Sequence, residues 1–554
     1  SGGAFLMASQ SLISTINGYE NYIERNGIDE QVIDAYVDAC SVAINGEKDI
    51  EYGLQLTKRA KELIEGFCMT KTGGTIWDLE KYAFANKTEY ELINWFYDIL
   101  LIEAQNKVVD SFFRYIEKKR EPKERFYMPR RKQFIKIGLI EALQGMIDDK
   151  YDILCISLPP GTGKTTIEKF FHSAVIGWYS NGYNLFYSHS GDITRMYYDG
   201  VYDIVTNADE YTWGEVFPGL EVTSTNAKLE QFNVGKYKPF QSVQCTSVGS
   251  KNAGKVRANK FLLVDDMIGG IEEALNPTYL DKLWDKYAVD ARQRKIPDED
   301  GNPCKEIHIA TRWSVRDVIG RIIQAYEGNK RVKVISVPDV DPVTGESNFD
   351  FEFGGYTVKD FEDIQLLMDE ISYRCLYKQD PIEREGLLFP DDKIRRYLNL
   401  PHGEPEIITA QCDTKGKGTD YFVLPVLQKY GEDYYCIDCV CDNTADYEEQ
   451  YRNAAAVLVN NKVQECEFER NAGGDRVAME VNKRVESVGW ICNITDTPTE
   501  TNKEARIFQC SNWILQHIIF KDASLYKPNE PYGVMMSLLK QYSVSGKKQL
   551  DDVP

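Results

Sequence analysis

The run Ile153-Leu154-Cys155-Ile156-Ser157-Leu158-Pro159-Pro160-Gly161-Thr162-Gly163-Lys164-Thr165-Thr166 decides how the rest of the chain is read. A short apolar stretch, the length of a buried strand, ends in a loop with two glycines, a lysine and two hydroxyls. Thr166 to Trp178 then continues with helical apolar spacing. This is the order of a phosphate-binding loop. Between a strand and a helix, consecutive backbone N–H groups and the helix N-terminus converge on the β- and γ-phosphates of a nucleotide. Gly161, Thr162 and Gly163 bring the backbone close, Lys164 supplies a point charge, Thr165 the hydroxyl that joins Mg²⁺, and Thr166 a further hydroxyl of the cradle. The pattern is GxxxxGK[ST], with Leu158 standing where the first glycine is usual.

Working outward, the 554 residues allow about three domains, and 43% hydrophobic with 12% aromatic residues is the composition of folded cores. Lys and Arg number 65 against 86 Asp and Glu, a net charge of −21. That argues against a protein that coats nucleic acid generally or lies on an anionic membrane, yet it leaves room for a local basic groove. Thirteen scattered cysteines form no disulfide framework, as in a reducing compartment. Cys436, Cys439 and Cys441 could recruit zinc with Cys466, but the run Tyr434 to Val440 reads as a strand. No apolar stretch approaches 18 residues, so a soluble, intracellular protein is expected.

From Ser9 to about Lys119 apolar residues recur at helical spacing, and the charged stretch Glu117 to Arg125 reads as a surface linker. Strands alternate with helices from Ile153 to about Val337, the pattern of an α/β domain with a mostly parallel sheet. Residues 338–405 turn to Pro, Gly and Asp around one helix. Then Ile407 to Asp413, Tyr421 to Leu427 and Tyr434 to Val440 read as three successive strands.

A phosphate loop that turns over ATP needs a strand ending in carboxylates, and Phe261-Leu262-Leu263-Val264-Asp265-Asp266 provides one. Asp265 is expected in the metal sphere, with Asp266 orienting or deprotonating the attacking water. Many ATPases of this class carry Glu at the second place, one methylene longer. The strand Ile307-His308-Ile309-Ala310 ends in Thr311-Arg312-Trp313-Ser314, which reads as a sensor beside the γ-phosphate, with Ser314 and Asp317 as helix caps. In Tyr127-Met128-Pro129-Arg130-Arg131-Lys132-Gln133, Gln133 is suited to an adenine edge. Arg257 or Lys255, in the glycine-bearing stretch before the acidic strand, is a candidate finger toward the phosphates of a neighbouring subunit.

Three segments carry a resemblance. They are Leu262 to Ile268 with Trp284; Ala310 to Ser314 with Asp317, Ile319, Gly320 and Arg321; and Cys375-Leu376-Tyr377-Lys378-Gln379-Asp380-Pro381-Ile382 with Glu385-Gly386. In this order the chain, from Tyr127 to Asp552, resembles the large terminase subunit of tailed bacteriophages, an ATP-driven motor and nuclease that packages viral DNA. The resemblance implies an α/β multidomain protein: after the helical N-terminal region over 1–120, which it does not cover, come a P-loop ATPase of the ASCE type with a mostly parallel sheet over 121–337, a hinge over 338–405, and an RNase H-like nuclease over 406–554.

Such a nuclease needs carboxylates converging on two Mg²⁺ or Mn²⁺ ions about 4 Å apart. The resemblance assigns Asp413, with Asp420 seven residues on, then Glu469, then Asp551 or Asp552, after which this sequence stops at Pro554 where relatives continue. It further implies ATP with Mg²⁺ as cofactor, double-stranded viral DNA as substrate, and a portal protein and a small terminase subunit as partners. It also implies a pentameric ring on the procapsid and residence in the cytoplasm of the infected bacterial host rather than in the mature virion. A helicase-nuclease of repair or host defence would add helicase motifs after the acidic strand. A non-enzymatic, nucleotide-switched assembly adaptor would have no use for an intact Lys164 and Asp265-Asp266.

Overall fold

The computed structural model describes residues 9–250, 255–274, 276–368, 370–381, 388–414, 421–444, 446–470, 473–498 and 503–542. The chain divides into two compact units. The first is Ser1–Gly269 with Thr278–Asp363 and Arg374–Pro381; the second is Gly270–Pro277, Ile364–Tyr373 and Ile382–Pro554.

The first unit opens with helices Gln10–Asn26, Glu30–Ser41, Ile50–Thr72, Ile76–Asn86, Glu91–Gln105 and Val109–Ile116, as the spacing predicts. Their ends are written in short polar residues. Asp29 accepts from the Val32 N–H, Thr75 and Asp78 cap each other reciprocally, and Gly73, at φ 74°, closes the longest helix. These helices pack directly on the α/β part of the same unit. Trp178 Nε1 donates to the Ala104 carbonyl at 2.7 Å, and the Thr212 N–H to Ile116 at 3.0 Å.

Eight strands form the sheet of this unit: β1 Ile153–Ser157, β2 Asn184–Ser188, β3 Val222–Asn226, β4 Gln231–Val234, β5 Val243–Ser247, β6 Phe261–Asp265, β7 Lys305–Ala310 and β8 Val332–Ser336. Their order is β3-β4-β5-β2-β6-β7-β1-β8, parallel from β5 through β8 and antiparallel only at the β3-β4-β5 edge. Every residue of β1, β2 and β6 is buried, as continuous apolar strands covered on both faces must be. The position of β7 between β1 and β6 is the ASCE arrangement, and it sets three functional strand ends side by side.

The stretch Glu117 to Arg125 is no solvated linker. Glu117 is buried and its carboxylate accepts from the backbone N–H groups of Phe126 and Tyr127 at 2.8 and 2.9 Å. Arg125 reaches Glu80 at 2.6 Å, both side chains only 5% exposed. Glu117 and Arg125 turn inward because they satisfy backbone and a distant acid at the junction between the helices and the sheet, while Lys119, Lys123 and Glu124 between them are exposed.

The second unit holds β9 Arg396–Tyr397, β10 Ile407–Cys412, β11 Phe422–Tyr430, β12 Asp433–Asp442, β13 Glu465–Glu469, β14 Asn493–Thr497 and β15 Ile518–Lys521 in the order β14-β13-β10-β11-β12-β15-β9. β10, β11 and β12 form an antiparallel meander, whereas β13 joins β10, and β14 joins β13, in parallel. This is an RNase H-like sheet. Cys412, Phe422 and Phe468 face one core, under helices Tyr447–Asn460 and Gly474–Ser487; Val423 and Cys441 face the other, with Ile507 of helix Lys503–His517 and Met535 of helix Pro531–Gln541. Among the described residues no helix is long and apolar enough to cross a membrane.

These contacts set two stability outcomes. Arg125→Ala leaves Glu80 buried without its cation and should cost about 3 kcal/mol, read by chemical denaturation. His172 is fully buried in helix Lys164–Trp178, with only Tyr197 OH at 3.2 Å, and burial pulls its pKa from 6.5 down to about 3. Its unfolded form therefore takes up a proton first. Its contribution is complete above pH 6.5 and falls by about 1.4 kcal/mol per pH unit below that, toward pH 3. His172→Phe should flatten the acid limb of the stability profile.

Candidate active sites

The phosphate loop is built around two glycines whose backbone and surroundings disfavour any side chain. Gly161 sits at φ 76° and Gly163 at φ 97°; a Cβ on the first would lie 2.3 Å from the Tyr356 hydroxyl, and on the second 2.6 Å from the Phe126 ring. Thr162 Oγ1 ties the loop across to the Pro159 carbonyl at 2.8 Å. Lys164 is buried; its ammonium donates to the carbonyls of Leu158 at 2.9 Å and Pro159 at 3.4 Å, and to Thr311 Oγ1. Burial pulls its pKa down, with Asp266 and Asp265 opposing the shift. Thr166 follows Thr165 in the first turn of the helix.

The acids come from the adjacent strand end. Thr165 Oγ1 donates to Asp265 Oδ2 at 2.7 Å, while Asp265 Oδ1 is buried with no partner. Burial, reinforced by Asp266, pushes the Asp265 carboxyl up to about 7. Asp266 leaves the strand at φ 29°, its carbonyl accepting from His189 Nδ1 at 2.6 Å and its Oδ1 from the Thr311 N–H at 3.0 Å. Thr311 thus touches both Lys164 and Asp266. The next residue, Arg312, pairs with Asp317 at 2.9 Å, and Asp317 caps its helix through the Gly320 N–H at 2.7 Å. The Arg312 N–H also reaches Gln379 Oε1 at 3.4 Å.

Gln133 donates through Nε2 to the Asp350 carbonyl and leaves Oε1 buried and unpartnered. Arg130 lies between the rings of Phe126 and Phe351, with a buried Nε that also lacks a partner. These orphaned atoms, the bare oxygen of Asp265 and the Cβ-free loop fit a magnesium nucleotide: a metal against Thr165 and Asp265, phosphates on the loop. Sequence reasoning passed over Glu168, one turn into the helix. It is fully buried with both oxygens unpartnered, and burial, then Asp265, pushes its pKa well up. Arg257 does not join this cluster. Its carbonyl is held by Gln244 Nε2 at 2.7 Å near the N-terminal end of β5, the opposite end of the parallel sheet from the phosphate loop. Lys255 is exposed.

In the second unit Cys412 of β10 pairs with Phe468 of β13, so Asp413 and Glu469 stand one residue further on at neighbouring strand ends. Side-chain alternation turns both away from the core that holds Cys412 and Phe468. Asp413 bridges to Val423, and on this side Lys503 Nζ lies 2.6 Å from Asp413 Oδ2 and Arg506 Nη2 lies 3.3 Å from Glu469 Oε1. All four line a cleft of about 700 Å³. Asp420, Asp551 and Asp552 lie outside the described residues, among which no group of three His, Cys, Asp or Glu side chains could hold a metal. The sheet itself separates Cys466, on one face, from Cys436, Cys439 and Cys441 on the other, so no zinc site forms there. The pair Lys503 and Arg506, three residues apart at a helix start, escaped the sequence reading because only the fold brings it to the acids.

Residues 412–518 match the family model described as terminase, bacteriophage T7, ribonuclease H-like domain. Over these residues the second unit is similar to a terminase RNase H-like domain. Solved terminases align over more of the chain, though too loosely to carry an argument. A large terminase from a thermophilic bacteriophage, solved in complex with ADP, shares 11% identity over 76% of this chain and 92% of its own, at a TM-score of 0.37. That of bacteriophage HK97 shares 10% over 72% and 86%, at 0.31. The Mn-soaked human cytomegalovirus terminase nuclease domain shares 10% over 29% and 89%, at 0.24. No curated protein matches.

Because Gly163 combines a positive φ with the Phe126 contact, Gly163→Ala should weaken ATP binding by at least about tenfold while far-UV circular dichroism stays unchanged. Fluorescent-nucleotide titration checks this.

Proposed function

We propose that this chain is a large terminase subunit, coupling ATP hydrolysis to the movement of double-stranded viral DNA into a procapsid and cutting concatemeric DNA with a metal-dependent nuclease. The carrying observation is that the terminase RNase H-like match falls on the sheet whose ends present Asp413 and Glu469, in the same chain as a phosphate loop and an acidic strand. On this reading Gly161 to Thr166 and Lys164 hold the nucleotide phosphates, Gln133 reads the base, and Asp266 orients water. Thr311 carries the change of occupancy to the loop containing Arg312. Bound Mg²⁺ supplies charge neutralisation at the phosphates, held by Thr165 and Asp265. In the nuclease, Asp413, Glu469 and an acid of the Asp551-Asp552 pair would hold Mg²⁺ or Mn²⁺, which supplies an activated water and clamps the phosphodiester.

The same reading makes a portal protein and a small terminase subunit the partners, a pentameric ring the working assembly, and the cytoplasm of the infected bacterium its place. Arg257 is proposed to act across the ring, since it stands away from its own site.

Purified protein should nick and linearise supercoiled plasmid with Mn²⁺ or Mg²⁺, and Asp413→Asn should abolish cutting while sparing ATP turnover. Lys164→Ala should do the reverse. Cutting that survives Asp413→Asn would overturn the nuclease assignment, and ATP turnover that survives Lys164→Ala would overturn the motor.

A further inference from the structure

Two carboxylates arranged to share divalent ions repel one another, and among the described residues both meet cations of the same helix. Lys503 and Arg506 are three residues apart on Lys503–His517, hence on one face. Lys503 meets Asp413 at 2.6 Å and Arg506 meets Glu469 at 3.3 Å. The Arg506 contact uses Nη2 alone. The Nη2 group reaches both oxygens of Glu469, at 3.3 and 3.5 Å, while Nε is buried. Both cations open onto the cleft of about 700 Å³ that the acids line.

We propose that Lys503 and Arg506 are phosphate ligands of the DNA in the nuclease site, held on Asp413 and Glu469 when no divalent ion is there. The inference rests on the nuclease reading above. A guanidinium and a neighbouring ammonium, lining one cleft beside two acids, are complementary to a phosphodiester, which carries its charge on the backbone rather than on a base edge. Metal and the two cations compete for the same carboxylates. With those oxygens turned to an ion, Lys503 and Arg506 would have less hold on the acids and more of their charge to offer the strand being cut. Loading of metal and grip on DNA are therefore coupled in sign, since both draw on the same carboxylate–cation pairs.

The test uses the full chain with Lys503→Met and Arg506→Met, which keep the stem and remove the charge, and Lys503→Arg, which keeps both. Calorimetric titration with Mn²⁺ alone should show about tenfold tighter binding in the two Met variants, which is about 1.4 kcal/mol, and wild-type binding in Lys503→Arg. Plasmid cleavage by the same variants should show KM for DNA raised about tenfold, with kcat changed less. Tighter metal with weaker DNA is a pair of opposite shifts that a merely structural role does not produce. Thermal denaturation confirms that the variants are folded. Mn²⁺ affinity that is unchanged or weakened in both Met variants overturns the proposal, as does an unaltered KM. If wild-type protein takes up no Mn²⁺, or Asp413→Asn binds it equally well, the nuclease reading itself fails and this inference falls with it.

Discussion

The buried ammonium of Lys164 is the constraint from which the nucleotide site is built. A charge taken out of water must find oxygens, and here it finds two loop carbonyls and the Thr311 hydroxyl. Meeting that demand requires the loop to fold back over its own lysine, which only Cβ-free residues at positive φ permit. It also requires the end of β7 to stand beside the end of β1, which the sheet order provides. The acids Asp265 and Asp266 complete the charge balance from β6. A parallel sheet with β7 interposed is thus the framework that makes a buried cation tolerable, and the same framework leaves one oxygen of Asp265 bare.

The two sheets solve different problems. In the first, parallel strands are buried on both faces and deliver their chemistry only at the C-terminal ends, where helix starts add N–H groups. In the second, an antiparallel meander joined by parallel strands lets alternation assign opposite faces to core and chemistry. Cys412 and Phe468 pack inward while the very next residues, Asp413 and Glu469, turn to the cleft.

Much of this was legible in residue order. The phosphate loop, the acidic strand and the Thr311 strand end are local patterns in which a strand's apolar run points directly at its functional residue. For the same reason the meander from Ile407 to Val440 could be read strand by strand. Contacts between distant segments were not legible. Nothing near Gly163 announces that the Phe126 ring will lie against it, and Arg125 looks solvated until Glu80 arrives from a helix far earlier in the chain. Lys503 and Arg506 belong to the same class, two ordinary cations whose meaning comes from the strands their helix covers. Asp551 and Asp552 lie outside the described residues, and their placement rests on the family resemblance alone.

The turned backbone at Asp266 accounts for the aspartate that stands where many ATPases carry glutamate. At φ 29° the residue occupies a region that aspartate and asparagine visit more readily than glutamate, because a short polar side chain can bond its own neighbouring backbone. The shorter acid is therefore matched to the twist of the peptide that bears it. Side-chain reach and backbone handedness are linked there, so that lengthening the acid would also change the backbone conformation its residue favours just past the strand.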